Sequence, residues 1–483
     1  MFIRILRSST AYGLAAVVSR GLVFLILPLY VRALSPYDIG LYELFNSISL
    51  LLAVILPLEI TQAIARLKSN SNLDQQGIKN QSTTAFTFTL ASFGIFGAIA
   101  LVLIILFGRG YLKEGISILV PIFAITLLLL NGAYYFLQNE LRWSMQPRIY
   151  LWSTFINALV ASSVSFLFLG FSNLGIIGLY LALNLGLLAG IATIIFKAPN
   201  LLNVRWKWDE LISLLKFSIP LTFSSAFLVI ASVIDRFVLS YSLNLDTLGK
   251  YSVSLRVSAM AMLMLQGLQM AVLPIILGHA DQMNRKKNIE KSLRFFLIIG
   301  FTVTFQLSAA APEIMTLIAT NAYSDGALLV PIILVGSVLS AVYPFAPGLW
   351  LLGFTWRMAI LGMALAILSF IFSAAMVPIF GEIGASLAYA LSGVIYATLV
   401  IIFSDQVYPV NRNYLQLLLA LIFFCCGALL IMASIILSIA MTWRVLSAII
   451  LSIISCILLS SEIERRSVFF ALYGLVKSKK FDV

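Results

Sequence analysis

Residues 149–196 read IYLWSTFINALVASSVSFLFLGFSNLGIIGLYLALNLGLLAGIATIIF, 48 residues without one charged side chain. A helix needs about 20 mainly apolar residues to cross the hydrocarbon core of a bilayer. The run therefore holds two spans, folded back on each other at Ser172-Asn173-Leu174-Gly175, where small and turn-forming residues cluster. Uncharged windows of the same kind recur at Phe86–Phe107, Ser117–Gln138, Phe295–Pro312, Ala327–Trp356, Met358–Gly381, Ile383–Ser404, Asn413–Trp443 and Val445–Ser461. Four further spans carry charges, at about 9–32, 41–64, 215–241 and 250–278. The expected fold is an all-α polytopic membrane protein of about 14 transmembrane helices.

Composition agrees. Of 483 residues, 61% are hydrophobic and 10% charged, against about 25% charged in soluble domains. The apolar stretch Ala11–Val31 is interrupted by Arg20 and lacks a small-residue cleavage pattern, so it reads as the first span, not as a signal peptide. The longest loop, about 197–214, overlaps the amphipathic run Val204–Leu215 with Trp206 and Trp208, an expected interfacial helix. Cys425, Cys426 and Cys456 have no ligand spacing around them, and His279 stands alone at a helix end. Neither metal, disulfide nor cofactor is expected, and there is no Walker-type phosphate loop.

The net charge of +12 is a topology signal. With the loops alternating across 14 spans, 23 Lys and Arg fall on the side of both termini, 5 on the other, and 3 inside spans. Positive charge gathers in cytoplasmic loops, so both termini are expected in the cytoplasm and no nucleic acid is needed to explain the basic balance.

A shift of 209 residues lays Leu34-Ser35-Pro36-Tyr37-Asp38-Ile39-Gly40-Leu41-Tyr42 on Leu243-Asn244-Leu245-Asp246-Thr247-Leu248-Gly249-Lys250-Tyr251, with Leu, Gly and Tyr shared. The same shift lays Arg7-Ser8-Ser9 on Lys216-Phe217-Ser218, and six spans precede this start of the second copy. The expected organisation is two pseudo-symmetric six-helix bundles, 1–208 and 209–412, around a central cavity, followed by 413–483 with helices 13 and 14 and a cytoplasmic tail; parallel repeats with a midplane site are a transporter arrangement. Gly40 and Gly249 are expected to serve turns.

Charges within the spans concentrate in the equivalent helix pairs. Arg20, Glu43 and Glu59 fall in spans 1 and 2; Asp235, Arg236 and Arg256 fall in spans 7 and 8. A charge at the bilayer centre is expensive unless it faces a partner or water, so a hydrated cavity lined by spans 1, 2, 7 and 8 is expected. Arg20, Arg236, Arg256 and Arg32 are the candidate contacts for an anionic substrate. For Arg20 the alternative is an ion pair with a span 2 carboxylate, and for Arg256 it is snorkelling to the interface. Glu59, Asp235 and Glu43 are the candidate gate or ion-coupling groups, with Glu59 on one helical face with Gln62 and Arg66. Asn131, Tyr135, Gln138 and Arg142 recur at helical spacing in span 4, and Tyr180 with Asn184 repeats the pattern in span 6. Asn131, Tyr135, Gln138 and Asn184 are candidate sugar contacts, or polar glue between helices.

The run Arg32-Ala33-Leu34-Ser35-Pro36-Tyr37-Asp38-Ile39-Gly40-Leu41-Tyr42, with Asp235-Arg236-Phe237-Val238-Leu239 and Leu248-Gly249-Lys250-Tyr251-Ser252-Val253 in the second half, resembles the Wzx-type polysaccharide flippases of the multidrug/oligosaccharidyl-lipid/polysaccharide exporter superfamily. The resemblance implies a flippase in a bacterial inner membrane. It would move an undecaprenyl diphosphate-linked oligosaccharide unit, such as an O-antigen repeat, from the cytoplasmic to the outer leaflet, with a downstream polysaccharide polymerase as a partner. Arginine suits that cargo, because its planar, permanently charged fork matches phosphate oxygens. A cation-coupled multidrug antiporter is the first alternative and would favour carboxylates in an apolar pocket. A membrane polysaccharide polymerase is the second, disfavoured by short outer loops.

Overall fold

The computed structural model describes residues 21, 27–69, 75–111, 117–172, 174–199, 205–278, 282–352 and 354–460. Among them there is no β-strand. The helices are α1 (27–33), α2 (Pro36–Ile55), α3 (Ile60–Ser69), α4 (Gln75–Tyr111), α5 (Leu119–Trp143), α6 (Pro147–Gly170), α7 (Gly175–Lys197), α8 (Trp208–Ser242), α9 (Leu245–Gly278), α10 (Gln282–Ala309), α11 (Ala311–Ile318), α12 (Leu329–Ser340), α13 (Gly348–Leu351), α14 (Thr355–Val407), α15 (Tyr414–Ile436) and α16 (Met441–Leu459). Among the described residues, eleven helices are long and apolar enough to cross a membrane. One of these runs through Gly381, whose φ of 61° and ψ of −134° break α14 into two helices. Each of the fourteen expected spans has helix at its place, the first over its described end.

The chain divides into two compact units. The first is Met1–Ser252 with Leu317–Ala322 and Gly362–Gly381; the second is Val253–Thr316 with Tyr323–Leu361 and Glu382–Val483.

In the first unit α6 and α7 form a hairpin closed where Gly175 adopts φ 54°, the turn expected within the 48-residue run. A buried cluster including Ile60, Ile64, Phe86, Phe136, Leu141, Ile194 and Leu214 joins α3, α4, α5, α7 and α8. Span 2 is not one helix. Pro57 is followed by Leu58 and Glu59 at φ 47° and 49°, left-handed conformations that end α2 and re-aim α3. At this end Lys68 pairs with Glu140. Ser82 donates to the same carboxylate at 2.6 Å, and Lys68 donates to Ser144 at 3.0 Å, so α3, α4 and α5 share one network. Glu210 does the same for α4 and α8, accepting from Thr84 at 2.9 Å and facing Arg205 at 3.4 Å. The expected interfacial helix is a correction: from Trp208 onward the amphipathic run is the start of α8, continuous with span 7.

In the second unit α10 packs on α16, α12 and α15. The Phe301 and Phe424 rings stack 3.8 Å apart, at the heart of a cluster that also holds Phe296, Phe305, Phe345 and Ile431. Helices α15 and α16 are thus built into this core. Their boundary differs from the expected one. The helix ends at Ile436, Ser438 takes a left-handed turn, and α16 starts at Met441. Arg444 consequently lies in the first turn of α16, buried and paired with Glu313. The charge-free window could not show a break made by backbone conformation. Span 10 is likewise interrupted, by the 3-10 turn Tyr343–Phe345. In the 408–413 loop Arg412 is enclosed, with Nε 3.1 Å from Asp405 and Nη2 donating to the Phe345 carbonyl at 2.8 Å. Burial pushes this guanidinium below its ordinary value, and Asp405 opposes the shift.

A candidate gate and ion-pair cluster

The site begins with the two repeat glycines, both in the first unit. Gly40 lies one turn into α2 and Gly249 one turn into α9. A Cβ built on Gly40 would stand 1.9 Å from the Leu245 carbonyl oxygen, and one built on Gly249 would stand 1.9 Å from that of Pro36. The contact is reciprocal at the 209-residue offset, and it places the first turns of the two repeats backbone against backbone. Neither glycine has a positive φ, so the expectation of a turn role is corrected. Absence of a side chain is what permits the approach, as at close helix crossings in membranes. Each helix start is capped locally: Asp38 N–H donates to the Ser35 hydroxyl at 3.1 Å, and Thr247 N–H donates to Asn244 Oδ1 at 2.8 Å.

One turn beyond the seam Glu43 is buried, and its Oε1 lies 3.3 Å from Arg236 Nε on α8. Arg236 Nη1 donates to the Ser232 carbonyl at 3.3 Å. Adjacent residues on a helix diverge by ~100°, and Asp235 accordingly serves a different partner, accepting from the Tyr251 hydroxyl while its other oxygen accepts the Arg236 N–H at 2.9 Å. Tyr251 and Asp235 are both buried. Tyr42, the repeat equivalent of Tyr251, stacks obliquely on Tyr180 of α7 with ring centroids 5.7 Å apart. Four ionisable side chains from α2, α8 and α9 thus meet directly under the seam. A pair with side chains 15% and 6% exposed is desolvated enough that removing one partner leaves a costly charge. An incoming anion would compete with Glu43 for the same guanidinium.

Other candidate residues fall elsewhere. Arg20 and His279 lie outside the described residues. Arg32 is exposed and donates to the Leu317 carbonyl at 2.6 Å. Arg256 is half-buried on the part of α9 that belongs to the second unit. Glu59 sits in the α2–α3 break, not on a helical face with Gln62 and Arg66; Arg66 instead lies over the Phe217 ring at 4.4 Å. The polar stripe of α5 divides. Asn131 and Tyr135 are exposed, whereas Gln138 is buried and donates to Tyr134 at 2.8 Å and Ser153 at 2.6 Å. Asn184 donates to the carbonyls of Phe123 at 3.1 Å and Tyr180 at 2.8 Å. For Gln138 and Asn184 the geometry matches interhelical glue. Tyr251 was not singled out from the sequence, although the repeat alignment contained it beside Gly249. Glu140 was missed because the charge-free window ended at Gln138.

The profile of the polysaccharide biosynthesis protein family matches residues 5–278, more than half of the chain. The chain belongs to that family. No curated protein matches it at the sequence level. Among solved structures, an inward-facing multidrug resistance MATE family transporter of the MOP superfamily is similar at a TM-score of 0.67 and 15% identity, covering 80% of this chain and 94% of its own. The lipid II flippase MurJ in an inward closed conformation is similar at 0.65 and 16%, over 95% and 99% of the two chains. A MOP superfamily transporter from Pyrococcus furiosus, described as having a binding pocket of reversed polarity, is similar at 0.60 and 12%, over 84% and 96%. These likenesses establish the fold: a multi-pass helical architecture shared with MATE transporters and MurJ.

Proposed function

We propose that this chain translocates an undecaprenyl diphosphate-linked oligosaccharide from the cytoplasmic to the outer leaflet of a bacterial inner membrane, by alternating access and without catalysing a reaction. Membership of the polysaccharide biosynthesis family and the fold shared with a lipid II flippase support the class of cargo. The positive-charge count supports placing both termini in the cytoplasm and the Gly40–Gly249 seam at the outer end. The single observation that carries the mechanism is the Glu43–Arg236 pair beneath that seam. A diphosphate offers two or more negative charges to a guanidinium that pairs here with Glu43, and charge-assisted bidentate contacts are the strong ones. Binding at Arg236 would release Glu43, loosen the junction of α2 with α8, and let the seam part. Arg20, Arg256 and Arg32 would each contact the anionic headgroup during its passage, Asn131 and Tyr135 would meet sugar hydroxyls, and the prenyl tail would stay in lipid. A polysaccharide polymerase would receive the product.

The test is leaflet exchange in vesicles reconstituted with the purified protein, scored by accessibility of a prenyl diphosphate-linked oligosaccharide to a membrane-impermeant glycosidase. Wild type should expose the inner-leaflet pool and Arg236→Gln should not. Equal rates in the two proteins, or no exchange above protein-free vesicles, would reject the proposal.

A second reading has one observation in its favour. Asp235 is a buried carboxylate held by Tyr251, the kind of group a cation-coupled multidrug antiporter would protonate. Dye efflux that survives Arg236→Gln and is lost in Asp235→Asn would select it.

A further inference from the structure

The second unit contains a cleft of about 610 Å³ between the last half of α14 and α15. Its walls are apolar: Val394, Ala397 and Ile401 on α14, Leu417 and Leu421 on α15, with Phe301 of α10 at the floor. The α14 residues recur at helical spacing, so one whole face of that helix is turned to the cleft. The mouth lies at Thr398, Ile402 and Leu418, all exposed. In a span this apolar, the medium at such a mouth is hydrocarbon, and apolar cavities do not hold water.

The end of the cleft nearest the 408–413 loop is different in kind. Asp405, Gln406 and Tyr414 line it, and Tyr414 donates to Asp405 at 2.7 Å. Tyr414 also borders an adjoining polar recess with Glu290, Arg294, Asn411 and Asn413. The two acids at this end are matched by two arginines, Glu290 by Arg294 at 2.6 Å and Asp405 by Arg412 at 3.1 Å. Beyond those pairs stand Lys286, packed over the Tyr408 ring at 5.1 Å, and the exposed Lys287 and Lys291 of α10. The surplus is cationic. An apolar slot open to the bilayer and ending in a basic, amide-lined recess complements one chain and the phosphate of an anionic amphiphile.

We propose that the cleft is a site for a resident bilayer phospholipid, one acyl chain lying between α14 and α15 and its phosphate resting at the Arg294–Asn413 recess. Bilayer phospholipid is favoured over transported cargo because every wall belongs to the second unit, whereas the Glu43–Arg236 cluster lies in the first. The site braces the junction of α14 and α15, which the Asp405–Arg412–Tyr414 contacts hold at the loop end. The choice of phospholipid over cargo rests on the proposed cargo contact at Arg236; the amphiphile site itself does not.

The experiment uses the full chain reconstituted in phosphatidylethanolamine/phosphatidylglycerol vesicles with a trace of phosphatidylglycerol carrying a diazirine midway along one acyl chain. Photolabelling should concentrate on peptides spanning 394–406 and 414–421. It should be lost in Ala397→Trp, which fills the slot, and in Thr398→Trp, which plugs the exposed mouth without entering the core. Ile450→Trp, on the exposed face of α16, should leave it intact. Labelling spread evenly over exposed faces, labelling that persists in Thr398→Trp, or labelling chased away by excess undecaprenyl diphosphate would overturn the assignment, the last by making the cleft a cargo site.

Discussion

Replacing Gly249 by alanine tests whether the seam is a working closure. The new Cβ would lie 1.9 Å from the Pro36 carbonyl oxygen, and ordinary contact begins near 3.4 Å. The first turns of α2 and α9 must therefore separate by about 1.5 Å, a backbone-to-backbone clash that no rotamer relieves. Overpacking of this sort costs typically ~1–3 kcal/mol, and each 1.4 kcal/mol is tenfold in an equilibrium, so the closed seam should lose about fivefold to 140-fold in population. Gly94→Ala supplies the control, since nothing stands within 4 Å of its Cβ and alanine is the better helix former. The assay is spin-label distance measurement between Ala33→Cys and Ser242→Cys, repeat-equivalent exposed positions flanking the seam, with the three native cysteines replaced. Gly249→Ala should shift the distribution to longer distances and Gly94→Ala should not. An unchanged distribution in a folded Gly249→Ala protein would refute the reasoning.

Further outcomes follow from the same geometry. Glu140→Ala leaves Lys68 and Ser82 without their shared acceptor and should lower thermal stability in detergent by about 3 kcal/mol, with Lys68→Ala/Glu140→Ala recovering part of the loss; equal loss in the double variant would contradict a paired network. Gln138→Leu removes the hydrogen bonds from α5 to α6 and should cost about 1 kcal/mol of stability while leaving the transport preference for different oligosaccharides unchanged. A changed preference would restore the sugar-contact role.

The spans were legible because exclusion of charge from hydrocarbon is written directly into composition, and the windows around Ile149–Phe196 needed nothing else. What a charge-free window cannot carry is backbone conformation within it. Leu58 and Glu59 interrupt span 2 and Ser438 separates α15 from α16, each inside a stretch that reads as a single span, whereas the Gly381 break in α14 falls where Glu382 already parts two charge-free windows. The charged cluster was legible in part: the cost of burying Glu43 and Arg236 announced that they need partners, but only three dimensions reveal that each is the other's. Gly40 and Gly249 were visible as a repeat, and their misreading as turn residues came from treating each copy alone when the physical reason is their contact. Gln138 and Asn184 show the limit of helical periodicity, which puts polar groups on one face without saying whether a neighbouring helix already covers it.

The competition at Arg236 is the claim on which transport turns, and binding of an undecaprenyl diphosphate to the reconstituted protein measures it directly. A hydrogen bond to a charged group is worth ~1.5–3 kcal/mol. Glu43→Gln, which removes the competing carboxylate charge, should therefore bind about tenfold or more tightly than wild type, and Arg236→Gln should bind more weakly by a similar factor. Affinity unmoved by Glu43→Gln, or kept in Arg236→Gln, would contradict the account.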